Sequence, residues 1–160
     1  MDADEIITRQ TSLTKEMIKE MKISKSVRTD VLLITNHIEF VLADFMELLL
    51  GTEKAREVRR GLIVDILEDM GILTKDFAYD IRQIFQIRDA YAHKLSLNQI
   101  HDFIEKRHLP NLKCIKQNPT KFLNWEEKSL NEKITHVSEW ISTELLMRFY
   151  EIAFKHIDLS

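Results

Sequence analysis

The sequence predicts an all-α protein, a single bundle of about five or six helices in one domain that spans residues 1–160. Six segments place apolar residues at the spacing of an amphipathic helix, and no window shows the sustained apolar and polar alternation of a strand. Only three glycines and two prolines occur, whereas 44% of the residues are apolar and 31% are charged. This balance is typical of helices joined by short connections around one core.

The first two segments predict long helices. Residues 3–23 form the first, with a break expected near Thr11 and Ser12, since their hydroxyl groups compete with the helix for backbone hydrogen bonds. Residues 26–50 form the second, and its apolar face is so wide that this helix is expected to lie at the centre of the bundle. Gly51 is well placed to end it, because glycine readily adopts the left-handed conformation that follows many helices.

Three polar residues of the second helix bear on function. Asn36 and His37 fall toward its polar side and are expected to be solvated. Glu39 interrupts the apolar side, which leaves two interpretations open. It is either a charge partner of Arg28 or Arg88, or a residue at the edge of the apolar stripe whose carboxylate reaches water.

The third and fourth helices each follow a threonine that can cap them. Thr52 is expected to cap a helix over residues 53–70, and Gly71 is expected to end that helix. Thr74 is then expected to cap the fourth helix, over residues 75–93, which has an acidic residue in its positively polarised first turn.

The third helix mixes basic and acidic residues. Glu53, Glu57 and Asp65 lie at ion-pair spacing from four basic side chains, so a salt-bridged surface is expected here rather than a track for a phosphate backbone. The four basic residues are Lys54, Arg56, Arg59 and Arg60.

The last third of the chain predicts a short helix, a loop and one long helix. The short helix is expected over residues 97–107, and residues 108–119, which contain both prolines, are expected to form an exposed loop. From about residue 120 the chain returns to helix, whose length could approach ~45 Å at ~1.5 Å per residue. Such a helix would overhang a compact bundle, so its apolar stripe could cover a neighbouring subunit as well as its own core. The stripe comprises Leu130, Ile134, Val137, Ile141, Leu145, Phe149 and Ile152.

The charge of the chain is unevenly distributed. The net charge of −3 argues against a protein that coats nucleic acid. Residues 72–121, however, carry nine basic and five acidic residues, whereas the rest of the chain carries fourteen and twenty-one. This segment is either a surface that happens to be rich in lysine or a basic rim that guides a substrate. The candidate rim residues are Lys106, Arg107, Lys113 and Lys116.

Several classes of protein are excluded by composition. The sequence contains no glycine-rich loop of the Walker or dinucleotide-binding type. Its lone Cys114 cannot form an intramolecular disulfide, and its first residues lack the features of a signal peptide, so a reducing cytoplasm is the expected compartment. Charged residues interrupt the apolar run at residues 31–50, so no membrane helix is expected. His101 and His108 have no further ligands at metal spacing, and neither a metal nor a cofactor is expected.

The C-terminal end of the fourth helix carries the residues best suited to chemistry. Residues 87–93 read Ile-Arg-Asp-Ala-Tyr-Ala-His. An arginine can hold a phosphate through two parallel N–H donors, and a histidine can move a proton near neutral pH. Arg88 and His93 therefore supply what phosphodiester cleavage needs without a metal ion.

Arg88 and His93 cannot converge while both lie on one regular helix. At ~100° per residue, Arg88 lies inside an apolar stripe, where a guanidinium needs an acidic partner, a subunit interface or an anion-binding cleft. His93 lies about 140° around the helix from it. Either the helix ends just before His93 and the ring turns back, or two copies of the helix meet across a twofold axis, which we favour. The stripe consists of Phe77, Ile81, Ile84, Arg88, Tyr91 and Leu95.

The motif, an arginine followed by a polar residue, three further residues and a histidine, resembles that of the HEPN superfamily of small all-helical, metal-independent ribonucleases. Residues 28–50, 61–71 and 81–93 resemble its mannitol-repressor-like branch, in which a Gly-Ile or Gly-Leu turn precedes a helix ending in Ile-Arg-Asn-x-x-Ala-His. Asp89 stands where that branch usually has asparagine; it would lower the local positive potential and could pair with a neighbouring arginine. Members silenced by tyrosine modification carry that tyrosine where this chain has Leu95, so such inhibition is not expected.

The resemblance implies a HEPN-like homodimer whose two motifs face a shared cleft, with RNA as the substrate. Arg88 would then hold and neutralise the phosphate, His93 would activate or orient the ribose 2′-hydroxyl, and Asp89 would be the supporting polar residue. The products would be a 2′,3′-cyclic phosphate and a 5′-hydroxyl, and the basic rim would contact RNA.

Three functions remain open at this point. The first is a metal-independent endoribonuclease of the toxin or phage-defence type, with an antitoxin or regulatory protein as a further partner. The second is a catalytically silent regulator of the mannitol-repressor kind, an interaction module that keeps the fold without its chemistry. The third is a nucleotide-binding domain that uses the same cleft.

Overall fold

Helices make up most of the computed structural model, which describes residues 3–24, 26–93 and 96–159, apart from the side chains of residues 97 and 156–159. These residues form no strand, so the predicted all-α class is confirmed. The described chain has seven α-helices, more than the five or six expected, because one short helix forms within residues 108–119, where a loop was expected. They are α1 (Ala3–Ile23), α2 (Val27–Leu50), α3 (Arg60–Asp69), α4 (Lys75–His93), α5 (Leu97–Phe103), α6 (Lys113–Gln117) and α7 (Leu130–Leu159).

The central position predicted for α2 is confirmed, since it packs against α1, α3, α4 and α7. Its Phe45 meets Phe149 of α7 edge to face, with ring centroids 5.2 Å apart. The apolar stripe predicted for α7 is buried or half-buried along the helix. Among the described residues, no helix combines the length and the apolar character that crossing a bilayer requires.

The break expected in α1 is absent. The Thr11 hydroxyl donates to the carbonyl of Ile7 at 2.9 Å, and the Thr14 hydroxyl donates to that of Gln10 at 2.8 Å. Because these hydroxyls bond to carbonyls one turn earlier on the same helix, they do not draw the backbone out of the helix.

His37 is buried, with 4% of its surface exposed, so the prediction that it is solvated is wrong. Its Nε2 lies 2.8 Å from the Thr14 hydroxyl of α1, and its Nδ1 lies 2.8 Å from the Ser142 hydroxyl of α7. Since Thr14 gives its own proton to Gln10, we assign the imidazole hydrogen to Nε2, which donates to Thr14. Burial lowers the pKa of His37, which favours the neutral ring.

The third predicted helix is divided, which corrects the expectation of one helix over residues 53–70. Glu53–Glu57 form a 3₁₀ turn capped by Thr52, the backbone is extended at Val58 and Arg59, and α3 starts at Arg60. The turn packs on α2 through the buried Ala55. A β-branched residue such as Val58 is well suited to this extended backbone.

Residues 108–119 are not an exposed loop, which corrects a second expectation. The buried Asp80 of α4 accepts the backbone N–H groups of Lys113 at 2.8 Å and of Cys114 at 2.7 Å. Its carboxylate thereby caps the first turn of α6 from another helix and fixes α6 against α4. Cys114 and Leu112 are buried as a result.

Candidate functional site

The helix that carries the motif begins and ends where the sequence predicts, at Lys75–His93. The Thr74 hydroxyl accepts the N–H of Phe77 at 3.2 Å, and Gly71 takes a left-handed φ of 72° as α3 ends. The apolar residues predicted for the stripe are buried, except that Leu95 lies outside the described residues. Burial raises the pKa of Tyr91 to about 12, so its phenol is protonated at neutral pH.

Arg88 emerges from this stripe with 24% of its side chain exposed. Its Nη1 donates to Asp89 Oδ1 at 2.9 Å. Its Nε is buried and meets no acceptor in the part of the chain that the structure describes. Because this Nε has no contact with solvent, an anion or another chain could meet Arg88 only through the exposed part of its side chain.

Asp89 joins Arg88 to a second arginine. Nη2 of Arg60 donates to both oxygens of Asp89, at 2.9 and 3.0 Å, while Nη1 of Arg60 donates to Glu39 at 2.5 Å. Burial acts to raise the pKa of Asp89, but the hydrogen bonds from Arg88 and Arg60 outweigh it and hold this pKa below its ordinary value. We call Glu39, Arg60, Arg88 and Asp89 the motif cluster.

The cluster settles the partners of two predicted residues. The expected pairing of Asp89 with a neighbouring arginine is confirmed. The expected direct pairing of Glu39 with Arg28 or Arg88 is not observed among the described residues. Glu39 bonds to Arg60, whose other partner, Asp89, also bonds to Arg88. A salt-bridged surface was correctly expected for Arg60, but its partners are on α2 and α4 rather than on its own helix. The sequence contained one indication of these contacts. Carboxylates at the edges of the apolar stripes of two helices, as at Glu39 and Asp89, are partly removed from water and therefore require a cation from a third element.

A groove of about 380 Å³ lies beside the motif cluster. Arg60 and Glu39 line it, together with Asn36 and Phe40 of α2, and the Phe40 ring is 43% exposed. The guanidinium of Arg60 also lies 4.8 Å from the ring centroid of Phe85. The groove thus gives solvent access to Arg60 and Glu39, whereas Arg88 and Asp89 do not line it.

His93 is the last residue of α4 and is exposed. The helix continues through His93, so the alternative in which it ends earlier and the ring turns back is not observed. Among the described residues, no hydrogen bond joins His93 to Arg88. Within the described ranges, hydrogen bonds join Arg88, Asp89, Arg60 and Glu39 in one network, and His93 is not part of it.

Two of the candidate rim residues lie on a π-helical turn, Ile104–His108. Lys106 is exposed and forms a salt bridge with Asp102 at 2.5 Å. The guanidinium of Arg107 lies 5.5 Å from the ring centroid of Phe103. Both side chains are on the surface, and local partners hold them there.

The other two rim residues belong to α6. Lys113 lies 5.3 Å from the ring centroid of Tyr79, and Lys116 is exposed. Because α6 is anchored at Asp80, eight residues before Arg88, it lies ~12 Å from Arg88 along α4 at ~1.5 Å per residue. A ligand that touched both α6 and the motif would have to extend along the helix.

A second cluster of charges lies further along α2, and we call it the buried cluster. The carboxylates of Asp44 and Glu47 are fully buried. Arg9 of α1 bonds to them at 2.5 and 2.9 Å, and Arg56 bonds to Glu47 at 3.0 Å and also to Asp44. Gln10 donates a further hydrogen bond to Asp44. This cluster ties α1 and the 3₁₀ turn to α2.

Comparisons with protein-family models, with curated proteins and with solved structures find no match for this chain. Among the described residues, no group of three or more histidine, cysteine or carboxylate side chains is arranged to hold a metal ion.

Proposed function

We propose that the chain is a metal-independent endoribonuclease of the HEPN type, in the toxin or phage-defence class, that acts as a homodimer. Arg88 binds the scissile phosphate and His93 activates the ribose 2′-hydroxyl. The observation that carries the proposal is the partly exposed side chain of Arg88, held by Asp89, on the same final turns of α4 as the exposed His93.

The proposed reaction needs one base, one acid and a cation. His93 takes the proton from the 2′-hydroxyl, and the 2′-oxygen attacks the phosphorus while Arg88 balances the growing negative charge. The bond from phosphorus to the 5′-oxygen breaks, this oxygen takes a proton from a water molecule, and the protonated His93 returns its proton to solvent. The products are a 2′,3′-cyclic phosphate and a 5′-hydroxyl.

The geometry of α4 supports the proposal of a second copy. Arg88 and His93 diverge by about 140° around a helix that stays regular through both residues. A twofold axis beside the C-terminal end of α4 would bring the His93 of one protomer toward the Arg88 of the other. Light scattering is expected to give a dimer at micromolar concentration, and a monomer would contradict the shared cleft.

One observation favours the second candidate, a catalytically silent regulator that binds a protein partner. In the motif cluster, two carboxylates balance two guanidiniums, so the cluster carries no net positive charge to attract RNA. Arg60, which joins α3 to α2 and α4, would have the same contacts if its only role were to hold these helices together. Activity on RNA separates the two candidates.

The test is incubation of the purified chain with single-stranded RNA in EDTA, followed by analysis of the RNA ends. We expect cyclic-phosphate ends, and a loss of rate of about 100-fold or more in His93→Ala. Arg88→Ala is expected to lose activity as well. Its matched control is Arg82→Ala, which removes an arginine of α4 that binds Asp65 and Glu68 and should retain activity.

Two outcomes would contradict the proposal. One is RNA that stays intact at high protein concentration, which would leave the regulator. The other is cleavage that survives His93→Ala, which would place the activity elsewhere or in a contaminant.

A further inference from the structure

The Asp89 carboxylate accepts three hydrogen bonds from two arginines, two from Arg60 and one from Arg88. Carboxylates and phosphates bind guanidinium groups through the same planar pattern of N–H donors. The position of this carboxylate is therefore one at which a phosphate group would meet donors from both arginines.

The contacts of Asp89 are open to exchange. Its side chain is 42% exposed, and those of Arg60 and Arg88 are 32% and 24% exposed. Asp89 and Arg88 are also adjacent on a helix, where neighbouring side chains do not normally face each other. Salt bridges with this much exposure contribute little to stability, so an incoming anion can replace them.

We propose that Arg60 and Arg88 together form the phosphate-binding site, and that the Asp89 carboxylate occupies it while RNA is absent. The inference rests on the proposed function and adds to it a second phosphate-binding side chain, Arg60, and an intramolecular competitor, Asp89. An RNA phosphodiester displaces the carboxylate and takes over its donors.

Glu39 has a different part in this exchange. It bonds to Nη1 of Arg60, whereas Asp89 bonds to Nη2. When RNA displaces Asp89, Glu39 keeps Arg60 in place with Nη2 directed at the phosphate. Glu39 is thus a positioning residue.

The experiment measures binding separately from cleavage. All variants carry His93→Ala, and the Kd for a fluorescent single-stranded RNA is measured by anisotropy in EDTA over a range of salt concentrations. Asp89→Asn is expected to bind about tenfold more tightly at low salt, and its plot of log Kd against log salt concentration is expected to be steeper by ~0.7, because no displaced carboxylate is left to take up a cation. Arg60→Gln is expected to bind more weakly by a similar factor, with a slope smaller by ~0.7.

Two matched controls make the result specific. Glu39→Gln also removes a carboxylate that binds Arg60, but one that does not bind Arg88, and it should not tighten binding as Asp89→Asn does. Arg59→Gln removes the same charge one residue earlier, from an exposed side chain, and should weaken binding far less than Arg60→Gln.

If Glu39→Gln changes the Kd as much as Asp89→Asn does, or Arg59→Gln as much as Arg60→Gln does, the effects come from overall charge and the proposal is overturned. An unchanged Kd in Asp89→Asn would also overturn it. Should Asp89→Asn fail to fold by circular dichroism, the comparison of Arg60→Gln with Arg59→Gln decides. If the chain with intact His93 cleaves RNA but the substitutions at Asp89 and Arg60 leave the Kd unchanged, the inference fails and the proposed function stands. If the chain with intact His93 does not cleave RNA but the substitutions change the Kd as expected, the proposed phosphate-binding site stands and the proposed ribonuclease activity fails.

Discussion

The buried cluster and the motif cluster use the same residue types in opposite settings. The carboxylates of Asp44 and Glu47 are fully buried, whereas those of Glu39 and Asp89 are 31% and 42% exposed. Carboxylates removed from water require fixed partners, so the buried cluster cannot release its arginines to a ligand. Exposed carboxylates can be exchanged at little cost, which makes the motif cluster the one suited to binding.

The largest effect is expected from breaking the buried cluster. Asp44→Asn removes a charge that Arg9 and Arg56 both bind and should lower the free energy of unfolding by ~3 kcal/mol, because each guanidinium loses one of its two buried carboxylates and keeps only Glu47. Urea denaturation measures it. The matched variant in the motif cluster, Glu39→Gln, should cost no more than ~1 kcal/mol. Equal losses in the two variants would remove the distinction between the clusters.

A smaller effect is expected at Asp80, a third carboxylate that binds backbone N–H groups rather than arginines. Asp80→Ala leaves the first turn of α6 uncapped and should cost about 1–2 kcal/mol. Its local signature is the reactivity of Cys114, a buried thiol whose pKa is raised chiefly by burial. Labelling of Cys114 by a thiol reagent should become faster in Asp80→Ala. Unchanged labelling would show that the carboxylate does not hold α6 in place.

The smallest effect is a dependence of stability on pH that originates at His37. Burial lowers the pKa of His37 in the folded chain, so below about pH 6.5 the unfolded chain binds a proton that the folded chain does not. The part of the free energy of unfolding that depends on a neutral His37 is therefore intact above that pH, and it is lost as the pH falls toward the pKa of His37 in the folded chain. Urea denaturation from pH 7.5 to 5 should show a steeper loss in the natural chain than in His37→Asn. Parallel curves would mean that His37 is not the titrating group.

The sequence predicted the elements that depend on contacts along a single helix. The bounds of α4, its apolar stripe and the stripe of α7 follow from helical periodicity and from Thr74 and Gly71. Periodicity does not report which helices cover a polar face, and for this reason His37 was placed in solvent although α1 and α7 enclose it.

The contacts missed at the sequence level all join distant elements. Spacing along one helix predicts partners for Arg60 on its own helix, and it predicts nothing for Asp80, because the two backbone N–H groups that Asp80 accepts lie 33 and 34 residues further along the chain. The motif itself was found because Arg88 and His93 are close in sequence. Arg60, which completes the cluster, was not.

The most direct test of the proposed site is complementation between two inactive variants. Arg88→Ala and His93→Ala chains are purified separately, mixed under conditions that exchange subunits, and assayed on single-stranded RNA in EDTA. If Arg88 of one protomer acts with His93 of the other, mixed dimers regain one complete pair, and the mixture should recover up to about a quarter of the natural activity. A mixture as inactive as each variant alone, beside a natural chain that cleaves RNA, would contradict the shared site.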